Sequence, residues 1–281
     1  MDPRPAVKPY QLYLNGEWVA PSSGETFETS NPATEEVITR CAVANDKDVD
    51  TAVRAARAAF DGGKWSQLAA SDRAKCLLRV ADGIRKNIDE IAYLETIDAG
   101  KTISETKNIE VPMCAELFEY YAGWATKIVG ETLPVRGNYF AYTLREPLGV
   151  CVAIVPWNFP LLLAVWKIAP ALAAGNTIIV KPSKQTPLSV LKLAEIVHEA
   201  GLPPGAFQVV TGAGSSTGMA LVRHPGVDKI AFTGETSTGQ LVMREAAATL
   251  KRVTLELGGK SPNIVLEDAD PEAAARGAIA G

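Results

Sequence analysis

The amino-acid sequence predicts an α/β protein: a Rossmann-like parallel sheet with flanking helices, preceded by a helical segment and interrupted by a protruding β arm. The first observation is that short apolar runs alternate with helical patterns after Gly149, which indicates a parallel sheet covered on both faces. The second is the helical spacing of apolar residues from Asp46 to about Gly130. The third is a stretch between Gly130 and Gly149 that is rich in β-forming and turn residues and has no helical period.

Length and composition set the broad class. The chain has 281 residues, of which 47% are hydrophobic and 21% charged, and its formal net charge is −4. These values are typical of a soluble globular protein with a sizeable core. So small a charge gives no general attraction to nucleic acid or to an acidic membrane. Since no apolar run reaches the length of a membrane span and no secretory signal is visible, we expect a cytoplasmic protein without either partner.

The cysteines and histidines form no recognisable metal or disulfide pattern. None of the cysteines belongs to a C-x-x-C pair, which suits a reducing cytosol; they are Cys41, Cys76, Cys114 and Cys151. His198 and His224 lack metal-ligand spacing. We therefore predict no metal site, and we expect the four thiols to be packing residues.

The individual elements follow in chain order. A small hairpin is predicted over residues 10–19, because its Asn-Gly pair favours a tight turn, and a strand over residues 35–44. After the arm, strands are predicted at 150–155, 177–180, 207–210, 229–232, 253–255 and 263–266. Helices are predicted at 162–174, 188–200, 216–223 and 237–250, with a last helix beginning near Pro271.

Two motifs follow the first two strands of the sheet, at the carboxyl ends where parallel sheets place ligands. Residues 156–160 hold Asn158 between two prolines, and a fixed side-chain amide suits the stabilisation of an oxyanion. The alternative is an ordinary turn asparagine. In residues 181–184, Lys181 suits a ribose hydroxyl or a phosphate, although a lysine at this position is also a common surface residue.

Two further motifs follow later strands. In residues 232–239, Gly234 precedes the start of a predicted helix and Gly239 lies within its first turn. At a helix start, free N–H groups and the helix dipole favour an anion. The spacing of the two glycines differs from the usual G-x-G-x-x-G dinucleotide fingerprint. Glu256 ends an apolar strand beside two glycines, and a carboxylate in a partly apolar crevice suits a general base. A solvated, idle charge at a strand end is the alternative.

In this order and at these strand ends, the four motifs resemble those of the aldehyde dehydrogenase superfamily. The resemblance covers the whole chain, beginning with Leu-Asn-Gly-Glu-Trp at 14–18 and Asn-Pro-Ala-Thr at 31–34. It implies an oxidoreductase that oxidises an aldehyde to a carboxylate with NAD or NADP. In that family a cysteine thiolate attacks the aldehyde to give a thiohemiacetal, hydride passes to the nicotinamide, and a glutamate activates the water that hydrolyses the thioester.

The resemblance also implies residue roles. Glu256 matches the general base, Asn158 the oxyanion donor, and Lys167 a buried lysine that assists proton movement near the glutamate. For Lys167 a helix-end lysine beside the apolar face is the alternative. The positions that match the cofactor cleft are Ile154, Pro156, Trp157, Lys181, Lys184, Gly214, Gly234, Glu235, Gly239 and Leu257.

Three departures from the family pattern stand out. The family nucleophile lies a few dozen residues beyond the glutamate in a Gly-Gln-x-Cys context, whereas no cysteine follows Glu256 here. We therefore expect the catalytic domain to be mostly absent and the chain, as an incomplete fragment, to be inactive. Lys184 occupies a position often held by a ribose-binding glutamate. Glu235 occupies one often held by a small hydroxyl residue, and a carboxylate beside a pyrophosphate is repulsive unless it points away.

These expectations divide the chain into three parts. Residues 1–128 and 148–259 are predicted to form a discontinuous cofactor-binding domain, and residues 260–281 to begin the truncated catalytic domain. Residues 129–147 match the family arm that crosses between subunits, which implies a homo-oligomer. Two other interpretations stay open: a non-catalytic module that binds dinucleotide or pairs with full-length subunits, and a family reductase acting on acyl-CoA or acyl phosphate. Glu256 argues for hydrolysis and against the reductase, and the sequence specifies no particular aldehyde.

Overall fold

The computed structural model describes residues 7–280. The first residues of the chain, on which the expectation of no secretory signal rests, lie outside this range. Before the arm, the elements are β1 (Leu12–Leu14), β2 (Glu17–Val19), β3 (Thr26–Ser30), β4 (Val37–Ala42), α1 (Asp46–Asp61), α2 (Ala70–Lys86), α3 (Ile88–Ala99), α4 (Ile103–Glu105), a π turn (Thr106–Glu110) and α5 (Val111–Ala125). The arm holds β5 (Thr132–Leu133) and β6 (Ala141–Tyr142). After it come β7 (Val150–Ile154), α6 (Pro160–Ala173), β8 (Thr177–Lys181), α7 (Leu188–Glu199), β9 (Phe207–Val209), a second π turn (Gly214–Gly218), α8 (Met219–Arg223), β10 (Lys229–Gly234), α9 (Thr236–Ala246), a 3-10 turn (Ala247–Thr249), β11 (Arg252–Leu257) and α10 (Pro271–Ala280).

Seven strands form the central sheet, in the order β11-β10-β7-β8-β9-β1-β2. The first five are parallel to one another, which confirms the predicted parallel sheet with flanking helices. The amino-terminal hairpin is also confirmed, because β1 and β2 pair around a turn in which both Asn15 and Gly16 have positive φ. The hairpin extends the sheet as well: β1 lies antiparallel to β9 through the pair Tyr13 and Val209.

The chain reverses its direction of travel across the sheet at β7. It runs from β7 through α6 to β8 and through α7 to β9, and then returns through α8 to β10 on the other side of β7. The carboxyl ends of β7 and β10 therefore form the topological switch point, where open α/β sheets leave a crevice for ligands.

The hydrophobic core occupies both faces of this sheet. In β7, Cys151 and Ala153 face the helices α2, α5, α6 and α7, whereas Val152 and Ile154 face α1, α8 and α9. Every residue of β7 and β8 is buried. This explains why these strands are continuous apolar runs in the sequence rather than alternating ones.

The structure contradicts one sequence-based expectation and adds detail at two other places. The strand predicted at residues 263–266 is wrong: within the described residues this segment pairs with no strand, and Ile264 is 76% exposed. A β-forming composition makes a strand only when a neighbour completes its hydrogen bonds. The hairpin formed by β3 and β4 was not predicted as such. The predicted arm contains strands of only two residues each, and its side chains are largely exposed, Tyr139 at 81%.

Within residues 7–280, no helix combines the length and the apolar character needed to cross a membrane.

Candidate functional site

The carboxyl ends of four strands lie side by side at the switch point. Lys181 at the end of β8 pairs with Ile154 of β7, Ile154 pairs with Phe232 of β10, and Phe232 pairs with Leu255 of β11. Because adjacent strands lie about 4.8 Å apart, this row spans roughly 14 Å. The strands β10 and β11 continue two residues beyond it. The motifs picked out in the sequence are thus gathered at one edge of the sheet.

Lys167 and Glu256 lie on the same face of the sheet. Lys167 Nζ donates a hydrogen bond to Thr233 Oγ1 at 2.7 Å, and Thr233 pairs directly with Glu256 across β10 and β11. Both charged side chains line a pocket of about 480 Å³ together with Trp166. Burial lowers the pKa of Lys167, while the Glu256 carboxylate acts in the opposite direction. The structure therefore brings the lysine of α6 close to the glutamate, which is itself exposed to solvent.

Lys181 is a buried cation. Its side chain is 4% exposed, and its Nζ donates to the backbone oxygen of Pro182 at 2.9 Å. Burial lowers the pKa of Lys181 to about 8, and no carboxylate among the described residues counteracts that effect. A buried ammonium without a counter-charge is costly. Its place at the strand end therefore favours a ligand that carries oxygen acceptors.

Asn158 lies in the loop between β7 and α6, which we call the Asn158 loop (residues 155–159). At its start, Val155 N donates to the backbone oxygen of Lys181 at 3.2 Å, which ties the loop to β8. Pro156 is partly buried, whereas Trp157 and Asn158 are exposed. The Asn158 amide is thus accessible on a loop that is anchored to the sheet.

The glycine motif after β10 leads into α9. Glu235 is the N-cap residue, makes no side-chain capping bond, and is exposed. Gly239 is buried, and a Cβ at that position would lie 2.6 Å from Leu257 Cδ2. Gly239 therefore permits close packing of α9 on β11, while Gly234 ends β10 beside Leu257. Gly214 is exposed at the start of the second π turn, with open space around it.

Lys184 occupies a different position from Lys181. It is exposed, and its Nζ lies 5.2 Å from the centroid of the Phe27 ring in β3. With Trp157 it lines a second pocket of about 530 Å³, between β3 and the loops that follow β7 and β8. The hairpin of β3 and β4 therefore forms one wall of this crevice, a contribution that the sequence did not indicate.

Two buried carboxylates on α3 were missed by the sequence-based predictions. Glu95 Oε1 accepts the N–H of Leu161 at 3.0 Å, in the first turn of α6. One helical turn further along α3, Asp98 Oδ2 accepts the N–H of Leu188 at 2.9 Å, at the start of α7. Side-chain oxygens stabilise helix amino termini by accepting hydrogen bonds from N–H groups that have no partner within the helix. The signal available in the sequence was a pair of acidic residues, three apart, on the buried side of an apolar helix.

These two carboxylates predict a pH-dependent stability. Burial raises the pKa of both Glu95 and Asp98 to about 7. Because the folded pKa lies above the unfolded one, each group stabilises the fold at low pH and loses that contribution as pH rises from about 4 to 7. Glu95→Gln keeps an oxygen acceptor for Leu161 but removes one such group. We expect the free energy of unfolding of the variant to rise relative to wild type across this window, by about 1.4 kcal/mol per unit of pKa shift.

Denaturant unfolding at several pH values between 4 and 8 checks this expectation. Glu199→Gln, which changes a helix-end carboxyl that is exposed to solvent, is the matched control and should follow the wild-type curve. Parallel curves for wild type and Glu95→Gln would show that the Glu95 carboxyl does not change its protonation between the two states.

The four thiols are buried, as the sequence predicted. Burial raises the pKa of Cys41 and Cys151 to about 12, and that of Cys114 well above its usual range. Cys151 borders the pocket of Glu256 from within β7. A thiol that stays protonated is a poor nucleophile. Among residues 7–280 no cluster of three histidine, cysteine or carboxylate side chains could hold a metal ion.

A parallel sheet with a glycine-containing turn and a helix start at its switch point is typical of dinucleotide-binding α/β proteins. The model of the aldehyde dehydrogenase family matches residues 18–281. The chain therefore belongs to the aldehyde dehydrogenase family.

Individual relatives agree with this assignment. The chain is 51% identical over 271 residues to the mitochondrial aldehyde dehydrogenase family 2 member B4 of Arabidopsis thaliana, covering 96% of this chain and 50% of that protein. It is 49% identical over 273 residues to the mitochondrial benzaldehyde dehydrogenase of Antirrhinum majus, covering 97% and 51%. The structure of the NAD+ complex of an aldehyde dehydrogenase from Bacillus cereus superposes with a TM-score of 0.94 at 48% identity, covering 96% and 55%. The chain thus spans about half the length of the curated relatives it matches.

Proposed function

We propose that this chain is the cofactor-binding part of an NAD(P)-dependent aldehyde dehydrogenase, whose whole form oxidises an aldehyde to a carboxylate. The observation that carries the proposal is the placement of Lys181, Lys167 and Glu256 at one edge of the sheet, beside the switch point. The similarity to a Bacillus cereus aldehyde dehydrogenase whose structure contains NAD+ supports the choice of cofactor.

The residues at this edge fit a dinucleotide. The buried ammonium of Lys181 lacks a counter-charge and suits ribose hydroxyls, while the first turn of α9 after Gly234 offers free N–H groups to a pyrophosphate. Trp157 lines the crevice with apolar surface, and Ile154 ends β7 between Lys181 and Phe232. When bound, NAD(P)+ supplies the acceptor for the hydride that leaves the substrate.

The chain's own residues then act on protons and on oxyanion charge. The exposed carboxylate of Glu256 takes a proton from the attacking water. Lys167, held by Thr233, stabilises that carboxylate and exchanges its proton with solvent. The amide of Asn158 donates a hydrogen bond to the substrate oxygen as negative charge develops on it. The nucleophilic thiolate of the family reaction is assigned to none of the four buried cysteines of this chain.

The arm is assigned to assembly. Its exposed apolar side chains include Tyr139, Phe140 and Leu144, and apolar patches of this kind mark protein–protein contacts. On this proposal residues 129–147 hold a homo-oligomer together, while residues 1–128 and 148–259 form the cofactor-binding domain and residues 260–281 lead into the catalytic domain. The free thiols of the chain fit a reducing compartment such as the cytoplasm.

One observation favours a second candidate function. Because all four thiols are buried, the chain by itself suits a module that binds dinucleotide, or pairs with full-length subunits, without catalysing the reaction. The coding sequence downstream of Gly281 discriminates between the two candidates. A Gly-Gln-x-Cys segment within a few dozen codons supports the enzyme, whereas an immediate stop codon supports the binding module.

Cofactor choice gives the direct test of the proposed function. We expect the chain to bind both NAD+ and NADP+, because Lys184 places a cation where a glutamate would repel a 2′-phosphate. Lys184→Glu should then weaken NADP+ relative to NAD+ by about tenfold. A charge-assisted hydrogen bond contributes about 1.5–3 kcal/mol, and the exposure of Lys184 reduces that figure. Calorimetric titration of both cofactors into wild type and variant measures the ratio.

The matched control is Lys86→Glu, which makes the same charge change on the exposed surface of α2 and should leave the ratio unaltered. Failure of either cofactor to bind the wild type would count against the proposed function itself. An unchanged ratio in Lys184→Glu, with normal binding, would show only that Lys184 points away from the ribose.

A further inference from the structure

A group of three ionisable side chains lies beneath the Asn158 loop: the buried Glu95 of α3, the partly buried Lys101, and the buried Glu110 of the first π turn. Lys101 and Glu110 form an ion pair in which the two side chains are 13% and 5% exposed. The charges of Glu110 and Lys101 both act on the Glu95 carboxyl, so the three side chains form one electrostatic unit. No step of the proposed chemistry uses any of them.

Two members of this group hold the chain just after Asn158. Lys101 Nζ lies 3.4 Å from the centroid of the Phe159 ring, which is a close cation–π contact. Glu95 Oε1 accepts the N–H of Leu161 at 3.0 Å. The residue that follows Asn158 therefore rests on an ammonium, and the helix that begins next is fixed by a carboxylate.

A buried ion pair of this kind is expected to add little to the free energy of unfolding. Removing charges from water costs several kcal/mol per ion, and apolar replacements of buried ion pairs are often neutral or stabilising. In addition, neither Oε2 of Glu95 nor Oε2 of Glu110, both buried, has a hydrogen bond of ordinary geometry among the described residues. What the ion pair provides that apolar side chains would not is a directed contact with one ring, that of Phe159.

We propose that Lys101, held in place by Glu110, is a positioning residue that fixes Phe159 and thereby sets the direction of the Asn158 amide. The inference rests on the proposed function in one respect, namely that Asn158 donates to the oxyanion. Positioning of this kind matters because a displacement of about 1 Å at a reacting group can cost about a hundredfold in rate. Lys101 acts through Phe159 and touches neither substrate nor cofactor.

The test measures two quantities separately: the order of the Asn158 loop, from its resonances, and the stability of the fold, from its melting temperature. In the ¹⁵N-labelled chain, wild type should show one sharp pair of Asn158 side-chain amide resonances and one Trp157 indole resonance. Lys101→Met together with Glu110→Gln removes both members of the ion pair at once, so neither is left as an unpaired charge, and this double variant should fold with a melting temperature near that of wild type. We expect it to lose the single Asn158 pair through broadening or doubling. Lys101→Arg alone, which keeps the cation beside Glu110, should retain it.

Lys75→Met is the matched control, since Lys75 forms an exposed ion pair with Asp72 at 2.8 Å on α2, and its spectrum should match wild type. Sharp, unshifted Asn158 resonances in the folded double variant would overturn the inference, as would loss of the single Asn158 pair in Lys101→Arg. Cofactor titration of the same samples separates the two proposals: absent binding by the wild type refutes the proposed function, whereas the loop resonances test Lys101 alone.

Discussion

The 281-residue chain by itself should oxidise no aldehyde above the uncatalysed background when supplied with NAD+ or NADP+. The family reaction requires a thiolate that forms a covalent intermediate. Here every thiol is buried, and burial raises the pKa of Cys41, Cys114 and Cys151 far above neutrality. Loss of a catalytic nucleophile lowers kcat by about 10⁶-fold in well-studied hydrolases. The absent nucleophile should therefore affect the rate more than any substitution in the cofactor crevice.

The measurement is the appearance of reduced cofactor with a panel of aliphatic and aromatic aldehydes, alongside a full-length family member as a positive control. Cofactor binding should be verified on the same preparation, so that an inactive sample is known to be folded. Turnover at ordinary enzyme rates would contradict the prediction. Single Cys→Ala variants would then identify the thiol that acts as the nucleophile.

Replacing Lys181 should cause the next largest change. In Lys181→Met the stem of the side chain is kept and the ammonium is lost. We expect the dissociation constant for NAD+ or NADP+ to rise about ten- to a hundredfold, since a hydrogen bond from a charged donor contributes about 1.5–3 kcal/mol. The variant should unfold at the same temperature as wild type or above it, because it removes a buried ammonium that has no counter-charge. Calorimetric titration and thermal unfolding measure the two quantities.

The pH dependence of binding supplies an internal check on Lys181. Burial lowers its pKa to about 8, so a cofactor that requires the protonated form should bind less tightly as pH rises through that value. Lys181→Met should lose this dependence, while Lys86→Met, on the exposed surface of α2, should keep both affinity and pH profile. An unaltered dissociation constant in Lys181→Met would mean that the ammonium does not contact the cofactor.

Local patterns were sufficient to predict most of the fold. The continuous apolar runs of β7 and β8, the Asn-Gly turn of the first hairpin and the strand-helix alternation each depend on a few adjacent residues, and all are present in the structure. The elements that differed depend on distant partners. Pairing of β1 with β9 joins residues far apart along the chain, and the segment at 263–266 has the composition of a strand without a strand beside it among the described residues.

In the candidate site, too, local sequence patterns indicate some residues, whereas others depend on distant partners. Lys181, Asn158 and Glu256 could be proposed as site residues because each follows or ends a strand, a position that the sequence reveals. Glu95 and Asp98 escaped notice because α3 carries them on its buried side, and a charged residue in a helix is ordinarily expected at the surface. Their partners are backbone N–H groups of helices far along the chain, which no spacing rule within α3 could indicate.

The amino-terminal hairpin completes one edge of the sheet, and this has a consequence for synthesis of the chain. Gln208 of β9 is fully buried, and its side chain accepts from Asn15 N at 3.1 Å, 193 residues away, while donating to the oxygen of Ala52. At about 5–20 residues per second, the hairpin is synthesised roughly 10–40 s before Gln208. Throughout that interval the apolar side chains of Leu12 and Leu14 have no sheet to join. The hairpin is therefore the part of the nascent chain that we expect chaperones to shield longest.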